Sequence, residues 1–342
     1  MGLTAFRYSI NLVFLIIILP LLVLCLLTDS KQNLSVISTD NAAQLEQFNA
    51  LLLESVSAIE WSPDGNLLAV STSNQIQIYA ISSQEIVVKA ILQGHNEQVN
   101  DLSFSPDGQL LASASSDTTI VLWDLHTKQI SHVLQEPDAF EVWSVSFSPD
   151  GEMIASGSSR YHNSGALRLW DVETGNEISI LQEDVNNSDN ALAFNSEGVL
   201  ASIENEDEII LRNIQADSNP QILTGNTNYI SDITFSSDGK TLASAGWDRI
   251  IRVWNIEAGA EVFTSSEQDA IVNAVSFNQD GSVLASASSS SITVWDVERG
   301  QKIGILDSTS IIVMVRFNPT GTILASVGQN SVIHFWRVPT AD

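Results

Sequence analysis

The chain has 342 residues, 44% hydrophobic and 16% charged, a composition that can bury a sizeable core and argues against general disorder. Its 41 acidic residues outnumber the 14 basic ones, for a formal charge of -27, which disfavours direct contact with nucleic-acid phosphates and fits a solvated acidic surface. The single cysteine, Cys25, can form neither a disulfide within the chain nor a cysteine metal site.

The first element is apolar. Leu12 to Leu27 carries no polar residue, and extending it back through Asn11 to Ile10 gives 18 residues without a charge, just enough for a helix to cross a bilayer core. Arg7 precedes the run, whereas Asp29 and Lys31 follow and nearly cancel, which favours an N-in, C-out orientation. Residues 1–9 are therefore expected to form a short tail and residues 10–28 a transmembrane signal anchor, with the remainder on the extracytoplasmic side. The alternative is a cleaved signal peptide and secretion, but no small-x-small cleavage site follows the run. Residues 29–43, rich in Ser, Thr, Asn, Asp and Gln, are expected to be a solvated polar linker.

From Trp61 onward one phrase recurs. Phe104-Ser105-Pro106-Asp107-Gly108 is followed by Leu111-Ala112-Ser113 and then by Val121-Leu122-Trp123-Asp124. Close copies start at Phe147, Phe235 and Phe277, and weaker ones at Trp61, Phe194 and Phe317. Within one copy, Val99, Leu102 and Phe104 alternate with polar residues as in a strand. Pro106 presets one turn dihedral and Gly108 accepts a positive one, so the next strand, from Leu110, returns antiparallel. Ile120–Asp124 and Ile130–Leu134 supply a third and a fourth strand. Four short strands per repeat, with no helical period, make the blade of a propeller.

The third-strand anchors Tyr79, Trp123, Trp170, Arg212, Trp254, Trp295 and Trp336 lie 44, 47, 42, 42, 41 and 41 residues apart. On these motifs residues 44–342 resemble the WD-repeat (WD40) family. The resemblance implies an all-β fold, a seven-bladed propeller of four-stranded antiparallel blades. Val338 ends the last third strand, so residues 44–53 are expected to supply the missing fourth. The family's buried tetrad of His, Ser or Thr, Asp and Trp maps onto His95, Ser113, Asp117 and Trp123 of blade 2. Blade 5 keeps Ser244, Asp248 and Trp254 but has Gly225-Asn226 for Gly-His. Blade 4 has Arg212 in place of tryptophan and Glu197 in place of the turn aspartate, and is expected to be the weakest.

Candidates for chemistry are few. His95, Ser113 and Asp117 contain the ingredients of a hydrolase triad, but the repeat context assigns them to the tetrad. His126, His132, His162 and His334 show no metal-ligand spacing. Gly239-Lys240-Thr241 sits in a hairpin and lacks the upstream glycine of a phosphate loop. The acidic run Glu204 to Glu208 lacks the glycine of a calcium loop and reads as a solvated turn. No catalytic, cofactor-binding or metal-binding residue is assigned.

Better pointers lie on the rim that the resemblance calls upper, made of the lead-ins to first strands and the turns between second and third strands. Trp143, Tyr229 and Trp247 fall there. Ser156 to Trp170 spans 14 steps against 10 for Ser113 to Trp123, so blade 3 has a longer turn containing Arg160 and Tyr161. The expected function is a non-catalytic, membrane-tethered scaffold that binds a protein or peptide through this rim. The alternative, an enzyme or small-ligand binder using the central channel, requires convergent polar groups on the inner strands, which read as Val, Leu, Ala and Ser.

Overall fold

The computed structural model describes residues 34–82, 85–136, 139–159, 165–185, 191–216 and 218–339. The expected anchor, residues 10–28, lies outside them. Among the described residues no helix is long and apolar enough to cross a membrane.

The described strands form seven four-stranded antiparallel sheets, each the blade of a propeller. Blade 2 is typical, with strands Val99–Phe104, Leu110–Ser115, Thr119–Asp124 and Gln129–Gln135 running outward from the axis. Its first turn shows how sequence makes the hairpin. Gly108 takes φ 70°, Ser105 Oγ donates to Asp107 Oδ1 at 2.6 Å, and the amides of Gln109 and Leu110 donate to Asp107 and Ser105. The Ser105 bond, with the Gln109 amide, holds the Asp107 carboxyl below its usual range.

Six of the seven innermost strands share an irregularity. Their register shifts after the first residue, or after the second in blade 3, leaving Ser57, Asn100, Trp143, Ser231, Asn273 and Val313 unpaired in the ladder. Such a bulge re-aims a side chain, and here it is used to join blades. Ser57 Oγ donates to the Val99 carbonyl at 2.6 Å, Asn100 Nδ2 to Val142 at 2.9 Å, Ser231 Oγ to Val272 at 2.5 Å and Asn273 Nδ2 to Ile312 at 2.8 Å. Apolar side chains fill the space between blades: Ala69, Ile76 and Ile78 of blade 1 pack with Val99, Leu102 and Trp123 of blade 2.

Glu46–Leu52 pairs antiparallel with Val332–Arg337, so the last sheet is completed by a strand from before blade 1. This closure gives the last blade its outer strand, so that Val332–Arg337 is not left as an open edge.

One expectation is corrected. Within the proposed solvated linker 29–43, Ile37 and Ala42 are fully buried. The Ile37 amide donates to the Gly321 carbonyl at 2.7 Å, and Asn278 Nδ2 donates to the Ile37 carbonyl at 2.8 Å. Polar composition misled because Asn41 spends its side chain on its own backbone, through Ser38 N and the Val36 carbonyl, leaving Ile37 and Ala42 to join the core of blades 6 and 7.

Candidate functional site at the rim and in the channel

The triad-like residues come together in blade 2, but in the interior. Trp123 Nε1 donates to Ser113 Oγ at 2.8 Å, Ser113 Oγ lies 2.7 Å from His95 Nε2, and His95 Nδ1 lies 3.0 Å from Asp117 Oδ2. Ser113 has no exposed surface. Burial pulls the His95 pKa down against the opposing pull of Asp117, so a neutral imidazole accepts from Ser113 and donates to Asp117. Gly94 is required beside it, since a Cβ there would meet the Trp123 ring at 2.8 Å.

Elsewhere the tryptophan-to-serine bond persists while the histidine is exchanged for charge. Trp170 Nε1 donates to Ser156 at 2.8 Å and Trp254 Nε1 to Ser244 at 3.3 Å. In blade 3 the buried Glu136 accepts from Ser156 and Ser158 and pairs with Arg168, which also reaches Glu177 at 3.0 Å. In blade 5 Arg252 pairs with Asp248 at 2.6 Å, and Asn226 accepts from Ser244. In blade 4 Arg212 Nη1 donates to Ser202 at 2.9 Å and to Glu204 at 2.6 Å. Glu204, the first residue of the acidic run, is therefore buried against a guanidinium rather than solvated.

The rim candidates separate. Trp247 is 56% exposed and packs on Tyr229, ring centroids 5.5 Å apart at 60°, while its backbone amide donates to the Tyr229 carbonyl at 2.8 Å. Exposed acids crowd the loops of the same face: Glu54, Glu97, Glu206, Glu267 and Asp269. Trp143 differs. It is the half-buried bulge residue of blade 3, lines the channel, and donates through Nε1 to Ser159 Oγ at 3.2 Å. Arg160 and Tyr161 lie outside the described residues.

The channel holds what sequence reasoning missed. The innermost strands enclose a cavity of about 830 Å³, and four charged side chains stand on its wall: Glu60, Asp101, Asp232 and Arg316. Arg316 grips Asp232 with both guanidinium nitrogens, Nη1 to Oδ2 at 2.9 Å and Nη2 to Oδ1 at 3.3 Å. Asp101 accepts the amides of Val145 and Leu102, each at 2.9 Å. Burial pushes the Glu60 carboxyl up to about 8, with Arg316 opposing and Asp101 and Asp232 reinforcing. Burial likewise lifts Asp101 to about 6 against its two amide donors. The inner strands are thus not only Val, Leu, Ala and Ser. Asp101 and Asp232 occupy the third position of their strands, Glu60 and Arg316 the fifth, a period-two placement that a blade-by-blade alignment exposes.

The family model described as "WD domain, G-beta repeat" matches residues 52–79, 87–124, 128–171, 218–255 and 260–296, together more than half of the chain. The chain belongs to the WD40 family. The WD40 matches skip residues 172–217, the blade in which Arg212 replaces tryptophan. Among curated proteins the chain is similar to the periodic tryptophan protein 2 homolog of Schizosaccharomyces pombe, 27% identical over 110 residues, 32% of this chain and 13% of that protein. It is also similar to the small ribosomal subunit protein RACK1 of Caenorhabditis elegans, 35% identical over 79 residues, 23% of this chain and 24% of that protein. RACK1y of Oryza sativa subsp. japonica is 35% identical over 92 residues, 26% of this chain and 27% of that protein. These matches thus span at most 27% of each relative's own length.

Proposed function

We propose that this WD40 propeller is a non-catalytic scaffold that captures a protein or peptide on its upper rim, with Trp247 and Tyr229 as the central contacts and Arg160 and Tyr161 as further contact residues. The observation that carries the reading is Trp247, 56% exposed yet held in place by Tyr229. A large aromatic side chain kept rigid at the surface is the commonest kind of interface anchor. The exposed acids around it favour a partner whose contacting face is basic as well as apolar. The names of the relatives agree in kind, since RACK1 is there a ribosomal subunit protein, a component of an assembly. For this chain, the charge of -27 speaks for a protein contact over an RNA one.

The test is capture of partners by the full chain, compared with the triple variant Arg160→Ala, Tyr161→Ala, Trp247→Ala. The variant is expected to lose the partner while melting at nearly the wild-type temperature. Retained capture, or a large fall in melting temperature, would move these residues from recognition to packing. The apolar run within residues 10–28 further supports a propeller held on the extracytoplasmic side of a membrane. Resistance to alkaline carbonate extraction, with protease sensitivity from that side only, is the expected result; release into the supernatant would favour secretion.

A further inference from the structure

We propose that the central channel is a binding site for a small organic cation bearing ammonium or guanidinium groups, with Glu60, Asp101 and Asp232 as its anionic contacts. The argument begins with charge. Three carboxylates share the wall with one guanidinium, and Arg316 is already committed to Asp232 through two hydrogen bonds. Asp101 is fixed by the amides of Val145 and Leu102, which orient it without supplying a full positive charge. The Glu60 carboxyl makes no hydrogen bond or ion pair with any described residue, although Arg316 is near enough to act on it electrostatically. The wall therefore holds one carboxylate without a counter-charge, Asp101, and a second, Glu60, that becomes anionic when its proton leaves.

A second observation points the same way. Ser144 directly follows the bulge residue of its strand, as Asp101 and Asp232 do, lines the same cavity, is only 5% exposed, and has no hydrogen-bond partner for its Oγ among the described residues. Buried hydroxyls are almost always satisfied, so this one adds an unmet polar group beside the charged wall. The ligand is an extended cation rather than a metal ion. No three His, Cys, Asp or Glu side chains among the described residues lie close enough together to hold a metal. A volume of about 830 Å³ is also far larger than a coordination sphere and falls in the range of small-molecule sites.

Entry of such a cation has a chemical signature. Burial holds Glu60 protonated at neutral pH, up to about 8. A positive charge beside it favours the carboxylate, so the proton leaves to buffer as the cation binds. The site is independent of the rim: loss of capture by the rim variant leaves it unchanged.

The experiment is calorimetric titration of the full chain near neutral pH and about 0.15 M salt, where surface charge is screened. Putrescine and agmatine serve as free cations, and end-blocked Gly-Lys-Gly and Gly-Arg-Gly as side-chain probes. Each is run in two buffers of different ionisation enthalpy, which reads proton release without any variant. Saturable binding with release of close to one proton is expected, and binding by the free cations or by the peptides alone tells a diffusible ligand from a partner's side chain. Glu60→Gln, isosteric and removing no hydrogen bond, should abolish the proton release and weaken binding about tenfold. Asp207→Asn, on a surface turn, should change neither. Absence of saturable binding by every probe would overturn the proposal, as would binding that Glu60→Gln leaves unaltered.

Discussion

Blades 2 and 4 are built from the same repeat and held together by opposite means. In blade 2 the space beside the second strand is filled by Trp123, 2% exposed, and the polar atoms around it form one chain from indole to carboxylate. In blade 4 the same place is taken by Arg212, and a cleft of about 370 Å³ opens beside it, lined also by Met153 and Leu169 of blade 3. The inner strands differ in the same sense. Val99–Phe104 is bulged and reaches blade 3 through Asn100, Asp101 and Ser103, whereas Leu192–Phe194 is only three residues long and has Ala191 at the position of Asp101. Reach toward the neighbouring blade is carried by polar residues of the first strand, and the volume beside the second strand is filled by the tryptophan. Where it is missing, a buried ion pair substitutes in hydrogen bonding but not in packing.

The comparison can be broken most severely from the strong side. Trp123→Ala should cost about 4 kcal/mol, since it deletes a buried aromatic and leaves Ser113 short of a donor; chemical denaturation measures it. Arg212→Ala should cost about 3 kcal/mol, less than the tryptophan, because its main effect is to strand the buried Glu204 carboxylate. The double change Arg212→Met, Glu204→Leu should recover most of that loss, since replacing a buried pair by apolar residues of similar volume is often neutral. Hydrogen exchange sharpens the contrast in the unmodified chain: amides of blade 4 should open with a free energy about 2 kcal/mol below those of blade 2. Equal protection would end the idea that the two blades differ in strength.

The next effect is electrostatic. Glu60 titrates near 8 in the fold against 4.5 when free, so the folded chain holds its proton through the interval between them and stability falls as pH rises through that window. Glu60→Gln should remove this slope and stabilise the protein at pH above about 8 by about 1–2 kcal/mol, less than the full shift implies because solvent enters the channel. A pH series of denaturant midpoints checks it. His95 works in the other direction: burial lowers its pKa, so its contribution is retained above the free value of 6.5 and lost as pH falls below it. The smallest effect is at the rim, where Trp247→Ala should change stability by less than about 0.5 kcal/mol, because most of that side chain already faces water.

Much of this architecture was legible in the sequence. The Pro-Asp-Gly turns set the hairpins, the spacing of the third-strand anchors set the number of blades, and the early end of the last blade called for a strand from residues 44–53, found as Glu46–Leu52. Arg212 flagged blade 4. What stayed hidden was pairing between distant positions. Glu136 stands where blade 2 has a histidine, but its meaning depends on Arg168, which is 32 residues away and brought back by the second hairpin. The channel charges were hidden for a similar reason. In a single repeat Asp101 or Glu60 looks like the polar half of an ordinary alternation, and only closing the ring turns those halves inward toward one another. Trp143, a rim candidate by position, is also the bulge residue of blade 3 and lines the channel wall.

The closing strand has one more consequence. Because Glu46 lies opposite Arg337 across the last sheet, the polypeptide begins and ends its circuit at the same spot. Circular permutation should therefore be tolerated: a linker that joins the chain outside these two positions, keeping Ile37 and Ala42 in the core, with the backbone opened at a turn between two other blades, would leave the circle of sheets intact. The order in which the blades are read out is a property of the gene rather than of the ring.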